Sequence, residues 1–209
     1  IPDDQRIITV EDTAELNLAK SHVVSLQSRP ANNEGKGEIT LQQLVINTLR
    51  QRPDRIVVGE CRGPEAFDML QAMNSGHDGS LTTTHANNPR AALDRLQNLV
   101  QMSRAGANMP PDAIMKIITE AVDFIVEIKR LPDGSRRVNN ICEVCGLQGS
   151  VPTIGSIMKF QKTGVDEAGR IKGEFCPTGS RIVSGDHKER FYANGVEIKN
   201  SWFDNGGLW

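Results

Sequence analysis

At 209 residues, with 38% hydrophobic and 24% charged content, the chain is long enough for one substantial core and has the composition of a soluble globular protein. A net charge of −2 and 4% aromatic residues give no electrostatic or stacking case for nucleic acid or acidic lipid as a partner. No apolar run approaches the roughly 20 residues needed to span a bilayer, and no basic leader precedes an apolar stretch, so the composition reads as cytoplasmic.

The first predicted strand is Arg6-Ile-Ile-Thr-Val10, which runs into Glu11 and Asp12. A second follows around Val23-Val24-Ser25-Leu26 and dissolves into a loop from Arg29 to Gly37. Thr40 with Gln43 three residues on has the form of a capping box, and Leu41, Leu44, Val45, Thr48 and Leu49 form the inward stripe of a helix that Pro53 ends. Arg52-Pro-Asp-Arg-Ile-Val-Val-Gly-Glu60-Cys-Arg-Gly-Pro-Glu65 then drives a short apolar strand into an acidic, arginine-bearing turn. Pro64 opens the next helix, with Ala66, Leu70 and Met73 inward and Gly76 as its stop. Ser80 to Thr84 is another strand, ending in His85.

A helix marked by Ala92, Leu96, Leu99 and Val100 comes next, and a further one from Pro110-Pro111 to Ala121. Alternating strands and helices imply a mainly parallel sheet covered by helical crossovers. In such a sheet ligands bind beyond the carboxyl ends of the strands, which is where Glu11, Asp12, Glu60, Arg62 and His85 fall. Carboxylates and a histidine at one sheet edge suit general base, metal-bound water or phosphate-sensing roles.

Phe124 to Ile128 reads as a strand that Asp133-Gly134 turns back onto Ser135 to Val144. From about Gly149 the texture changes to a second hairpin, Ser156 to Thr163 against Gly169 to Phe175, and a short helix near His187 to Ala193. The expected division is a main domain over 1–148 and a small hairpin-and-helix appendage over 149–209, packed on the main sheet or on a neighbouring subunit. Four cysteines at irregular spacing do not form a disulfide framework. Cys142, Cys145, Cys176 and His187 could supply four zinc ligands, but residues three apart on a strand face opposite sides, so no zinc site is expected.

Arg6 to Leu16, Arg52 to Glu65 and Gly76-His-Asp-Gly-Ser-Leu-Thr-Thr-Thr-His-Ala-Asn87 together resemble the type II/type IV secretion traffic ATPases, with the Flp/Tad pilus assembly ATPases as the nearest match. The resemblance continues through Asp133 to Arg137, Glu143 to Gly146 and Thr178-Gly179. It implies a RecA-like P-loop NTPase core, ATP and Mg²⁺ as cofactors, assembly as a homo-hexamer, and docking on an inner-membrane platform protein from the cytoplasmic side. By motif it implies that Glu11 polarises the attacking water and that Glu60 is the Walker B-like acid acting on Mg²⁺ through water. His77 and His85 fall in the family's histidine box, which senses the γ-phosphate. Arg29, Arg52 and Arg62 are the candidates for phosphate contact.

One departure stands out: no Gly-x-x-x-x-Gly-Lys-[Ser/Thr] occurs in the 209 residues, and Glu34-Gly-Lys-Gly37 is no substitute. In the family that loop lies a few dozen residues before the first acidic motif. The expectation is therefore an incomplete core, lacking the first strand, the P-loop and the first helix, that binds ATP weakly alone. Two other readings compete. A non-hydrolysing structural subunit of such a motor would share the absence, and Gly59-Glu-Cys61-Arg-Gly63 has the form of a nucleophile elbow, giving a cysteine hydrolase built on Cys61 and His85.

Overall fold

Strand β1, Ile7–Glu11, is buried along its whole length, as befits an apolar strand with neighbours on both sides. The computed structural model describes residues 1–204. β1 lies between β2 (Val23–Gln27) and β3 (Arg55–Val58), and β4 (Leu81–Thr82) completes a four-stranded sheet in the order β2-β1-β3-β4. All three pairings are parallel, with Ile8 opposite Val24 and Ile56, and Val58 opposite Thr82. The alternation of strands and helices predicted this arrangement. Ile7, Ile8, Val10, Ile56 and Val58 are fully buried, and each such side chain contributes about 1.5–3 kcal/mol.

Helices α1 (Leu41–Thr48), α2 (Glu65–Met73), α3 (Pro89–Met102) and α4 (Pro111–Ala121) connect or follow these strands. The capping box forms: the Thr40 hydroxyl accepts the Gln43 N–H and the Gln43 side chain accepts the Thr40 N–H. α1 nevertheless ends before Pro53 can stop it. Arg50 and Gln51 donate their N–H groups to Asn47 and Thr48 in a tightened last turn, and Arg52 then adopts φ 54°, a left-handed conformation. Only Val45 and Thr48 of the expected stripe are fully buried. β4 is shorter than the predicted 80–84 because Thr83 leaves the ladder to serve the turn after β3. Its carbonyl accepts the Cys61 N–H at 2.8 Å and its hydroxyl donates to the Gly59 carbonyl at 2.6 Å.

The second sheet is antiparallel, in the order β5-β6-β7-β8, formed by Phe124–Arg130, Arg136–Gln148, Val151–Val165 and Ile171–Pro177. Helix α5, Gly185–Ala193, and a 3-10 turn over Asn200–Trp202 follow. The chain separates into two compact units. One is Ile1–Asn87 with Ala91–Ala121, and the other is Asn88–Arg90 with the chain from Val122 on. The division thus falls at 121/122 and not at the expected 148/149. The reason is β6, whose residues pair with β5 from Arg136 to Glu143 and with β7 from Asn140 to Gln148. The two predicted hairpins are halves of one sheet. The second unit has a core of its own, in which Ile157, Ile182 and Phe203 are buried with Phe124, Met158, Phe191 and Ile198 against them.

Candidate functional site

Glu11 closes β1 with its side chain 5% exposed. A carboxylate that far from water needs donors, and its Oε1 accepts the N–H groups of Glu15 and Leu16, each at 3.0 Å. Gly59, at the end of β3, makes room for it: a Cβ there would stand 3.0 Å from the Glu11 Cγ.

Beside Glu11 a row of alternating charge crosses the carboxyl edge of the sheet. The Ser28 hydroxyl, just after β2, donates to Asp12 at 2.7 Å. Asp12, just after β1, pairs with Arg62 from the turn after β3. The Arg62 Nε lies 3.5 Å from Glu60, and the other Glu60 oxygen lies 3.4 Å from the His85 Nε2. The Glu60 side chain is 26% exposed and that of His85 94% exposed, so the row is open to solvent at its His85 end. Next to His85 lies an open depression of about 500 Å³, lined also by Asn87, Asp94, Arg95 and Asn98. The sequence expectation that successive strands deliver charge to one edge therefore holds for Glu11, Asp12, Glu60, Arg62 and His85.

Two candidates lie elsewhere. His77 precedes β4 whereas His85 follows it, so the two histidines sit at opposite edges of the sheet. The His77 Nδ1 faces the Ala72 carbonyl at 3.1 Å, and its own carbonyl accepts the Ser80 hydroxyl at 2.7 Å. Arg52 precedes β3 and is likewise at the amino edge. Asp54, two residues further on, accepts the Arg6 N–H at 2.6 Å. Arg29 is at the carboxyl edge, but its Nε donates to the Gly37 carbonyl at 2.8 Å and closes its own loop. Of the three candidate arginines, Arg62 touches the acidic cluster.

Glu65 belongs to the site and escaped the sequence reading. It is 4% exposed, and one of its oxygens accepts the N–H groups of both Arg62 and Gly63 at 2.7 Å. The available signal was an acid in the first turn of a helix opened by proline. Cys61, by contrast, is unsuited to nucleophilic attack. It is 1% exposed, the Thr82 hydroxyl donates to its sulfur at 3.2 Å, and burial pushes its thiol up to about 12. The burial of Cys61 speaks against the cysteine-hydrolase reading.

A Mg²⁺ ion bound chiefly by phosphate oxygens and waters needs only one or two carboxylates from a protein. Glu60, half open and oxygen-donating, fits that demand. Among the described residues no cluster of three or more His, Cys, Asp or Glu side chains could cage a metal.

Two of the residues weighed for zinc are committed otherwise. Cys142 is buried in β6, and burial raises its thiol above the usual range. His187 lies between two carboxylates, with Nδ1 at 2.8 Å from Glu143 and Nε2 at 3.0 Å from Asp123. Glu143 has no exposure and also accepts the N–H groups of Val183 and Ser184, while Arg190 pairs with Asp123 at 2.9 Å. This network pins the start of α5 to the second sheet.

A family profile described as Type II/IV secretion system protein matches residues 1–174. Protein VirB11 of Agrobacterium fabrum (strain C58) is 39% identical over 162 residues, covering 77% of this chain and 46% of that protein. Conjugal transfer protein TrbB of Rhizobium radiobacter is 38% identical over 149 residues, covering 71% of this chain and 42% of its own length. The crystal structure of the VirB11 ATPase from the Brucella suis type IV secretion system, in complex with sulphate, aligns with a TM-score of 0.61 and 33% identity. It covers 68% of this chain and 41% of that one. The chain therefore spans less than half the length of these relatives. Its parallel sheet is of the RecA-like P-loop kind. With the profile running through both sheets, the chain belongs to the type II/IV secretion system protein family.

Proposed function

We propose that these residues form part of a hexameric ATPase that powers protein secretion or pilus assembly, of the Flp/Tad kind. The observation that carries this reading is the row Asp12, Arg62, Glu60, His85 over the carboxyl edge of adjacent parallel strands. Phosphoryl transfer gains most from positioning and charge stabilisation, and this row offers both signs of charge on rigid supports. ATP and Mg²⁺ supply the transferred group and the neutralising cation when bound.

Each side chain then has one task. Glu60 would hold the hydrated ion, with the Arg62 Nε and the His85 Nε2 standing 3.5 and 3.4 Å from its two oxygens. Glu11 has one oxygen tied to Glu15 and Leu16, which leaves the other to orient a water. Arg62 is the phosphate-contacting arginine of choice, since it can exchange Asp12 for an incoming anion without moving its backbone. His85 touches Glu60 and reports on the nucleotide through it. His77, at the amino edge, acts only through β4.

The phosphate-binding loop lies outside the 209 residues in this reading. What supports a further strand is β4 itself, which ends the sheet with Leu81 54% exposed. A parallel sheet is ordinarily buried at such a position. The full-length motor acts as a homo-hexamer on an inner-membrane platform protein, at the cytoplasmic face. Among the described residues no helix is long and apolar enough to cross a membrane. In that motor Glu60→Gln abolishes turnover and leaves nucleotide binding largely intact, and unchanged turnover would remove Glu60 from the site.

The absence of Gly-x-x-x-x-Gly-Lys-[Ser/Thr] favours a second reading, a subunit that joins the motor without hydrolysing ATP. Calorimetry on the 209-residue chain bears on both, with weak or no Mg-ATP binding expected. Micromolar binding would overturn the requirement for a loop supplied from elsewhere.

A further inference from the structure

The turn from β3 to α2 occupies Cys61 to Pro64, and every N–H in it has a partner. Cys61 donates to the Thr83 carbonyl at 2.8 Å. Arg62 and Gly63 both donate to one oxygen of Glu65 at 2.7 Å, and Pro64 has no N–H to place. A helix is ordinarily capped by the side chain of the residue before its first turn, but Pro64 makes no such bond. The Glu65 carboxylate instead reaches backward past Pro64 to the residue whose guanidinium bridges Asp12 and Glu60. Burying a carboxylate is costly unless it is well bonded, and here two short bonds to a charged oxygen are the strong kind. Gly63 completes the fit, because a Cβ there would lie 3.0 Å from the second Glu65 oxygen.

We infer that Glu65 is a positioning residue for the proposed phosphoryl-transfer site: it fixes the backbone at Arg62, so that a half-exposed arginine presents its guanidinium along the Asp12–Glu60 line. The inference rests on the ATPase reading given above. Glu65 acts through the turn it ties, by way of Arg62. Hydrogen-bond acceptance carries the effect, so glutamine can replace glutamate and alanine cannot.

The test compares Glu65→Ala, Glu65→Gln and Gly63→Ala in the full-length motor, with Glu60→Gln as reference. Misplacing a catalytic group by about 1 Å can cost about 10²-fold in rate. Glu65→Ala is expected to lower kcat per folded subunit by roughly that factor with KM for ATP little changed. Glu65→Gln should remain within about threefold of the parent, which a purely electrostatic role would not allow. Gly63→Ala should fall between them, because the Glu65 oxygen must shift by only a few tenths of an ångström, and it keeps the test open if the alanine at 65 does not fold. Amide exchange at Arg62 and Gly63 should quicken in Glu65→Ala and not in Glu60→Gln, whether or not the protein hydrolyses ATP. An unaltered kcat in Glu65→Ala, or equal impairment in Glu65→Gln and Glu65→Ala, overturns the inference. Full turnover in Glu60→Gln would remove Glu60 from the site, and a parent motor that does not hydrolyse ATP would overturn the ATPase reading itself, while the exchange result would still judge the role of Glu65 in the turn.

Discussion

The Cγ of Glu11 fills the space beside Gly59 that a side chain would need, at 3.0 Å from where a Cβ would stand. Gly59→Ala must therefore displace the carboxylate that ties the Glu15 and Leu16 amides. Overpacking of this kind costs about 1–3 kcal/mol, and a chain of this size loses about 2–4 °C of Tm per kcal/mol. Thermal unfolding should show a Tm lowered by several degrees. An unchanged Tm would mean that the Glu11 side chain yields freely and that its place is not fixed by Gly59.

Arg52 holds φ at 54° without being glycine. A left-handed backbone costs an L-residue about 1–2 kcal/mol, so Arg52→Gly should raise Tm by a few degrees after the entropy of glycine in the unfolded chain is deducted. Because Arg52 stands at the amino edge of β3, turnover in the full-length motor should be unaffected. A large loss of kcat would return Arg52 to the phosphate-binding set.

Acid should release α5. Burial alone would raise the Glu143 carboxyl, but the N–H groups of Val183 and Ser184 and the His187 ring outweigh it and hold the group below its reference value of 4.5. A carboxyl that is a stronger acid folded than unfolded stabilises the fold fully above its unfolded value. That contribution disappears as pH falls through the folded value. Protection from amide exchange at Val183, Ser184 and along α5, relative to the intrinsic rate at each pH, should thus fall below about pH 4.5, ahead of the parallel sheet. Glu143→Gln should remove the pH dependence and loosen α5 at neutral pH. Equal protection at pH 6 and pH 4 would show that the network does not hold the helix.

The Cys61 thiol, pushed up to about 12 by burial and turned toward Thr82, should resist alkylation at neutral pH. Brief iodoacetamide treatment followed by peptide mass spectrometry should find Cys61 unmodified in folded protein and fully modified in urea. Rapid stoichiometric labelling of the folded chain would revive a nucleophilic role.

Much of the site was legible because parallel strands carry their last residues to a common edge, and apolar runs ending in Glu11-Asp12 and Glu60 mark that edge directly. The separation of His77 from His85 was also implicit in the sequence, since a strand predicted between them must hold its two ends apart. Motif resemblance joined what topology divides. Glu65 was hidden because its role depends on a backward reach to the amides of Arg62 and Gly63, which no spacing rule encodes. Asp123 and Glu143 meet His187 only through the register of β6 against β5 and the return of the tail, contacts that bridge 64 and 44 residues of chain.

Strand β6 takes hydrogen bonds from both sides and runs thirteen residues from Arg136 to Gln148. A protein cut where its sequence changes character, after residue 148, would keep a two-stranded ribbon with the inner edge of β6 stripped bare. Isolated ribbons of that kind are marginal in water, and bare edges recruit other chains. A cut after Ala121 would spare both sheets. A protease working on the native protein should leave a resistant fragment ending near that position, and a shortened gene ending at 148 should yield a protein that precipitates.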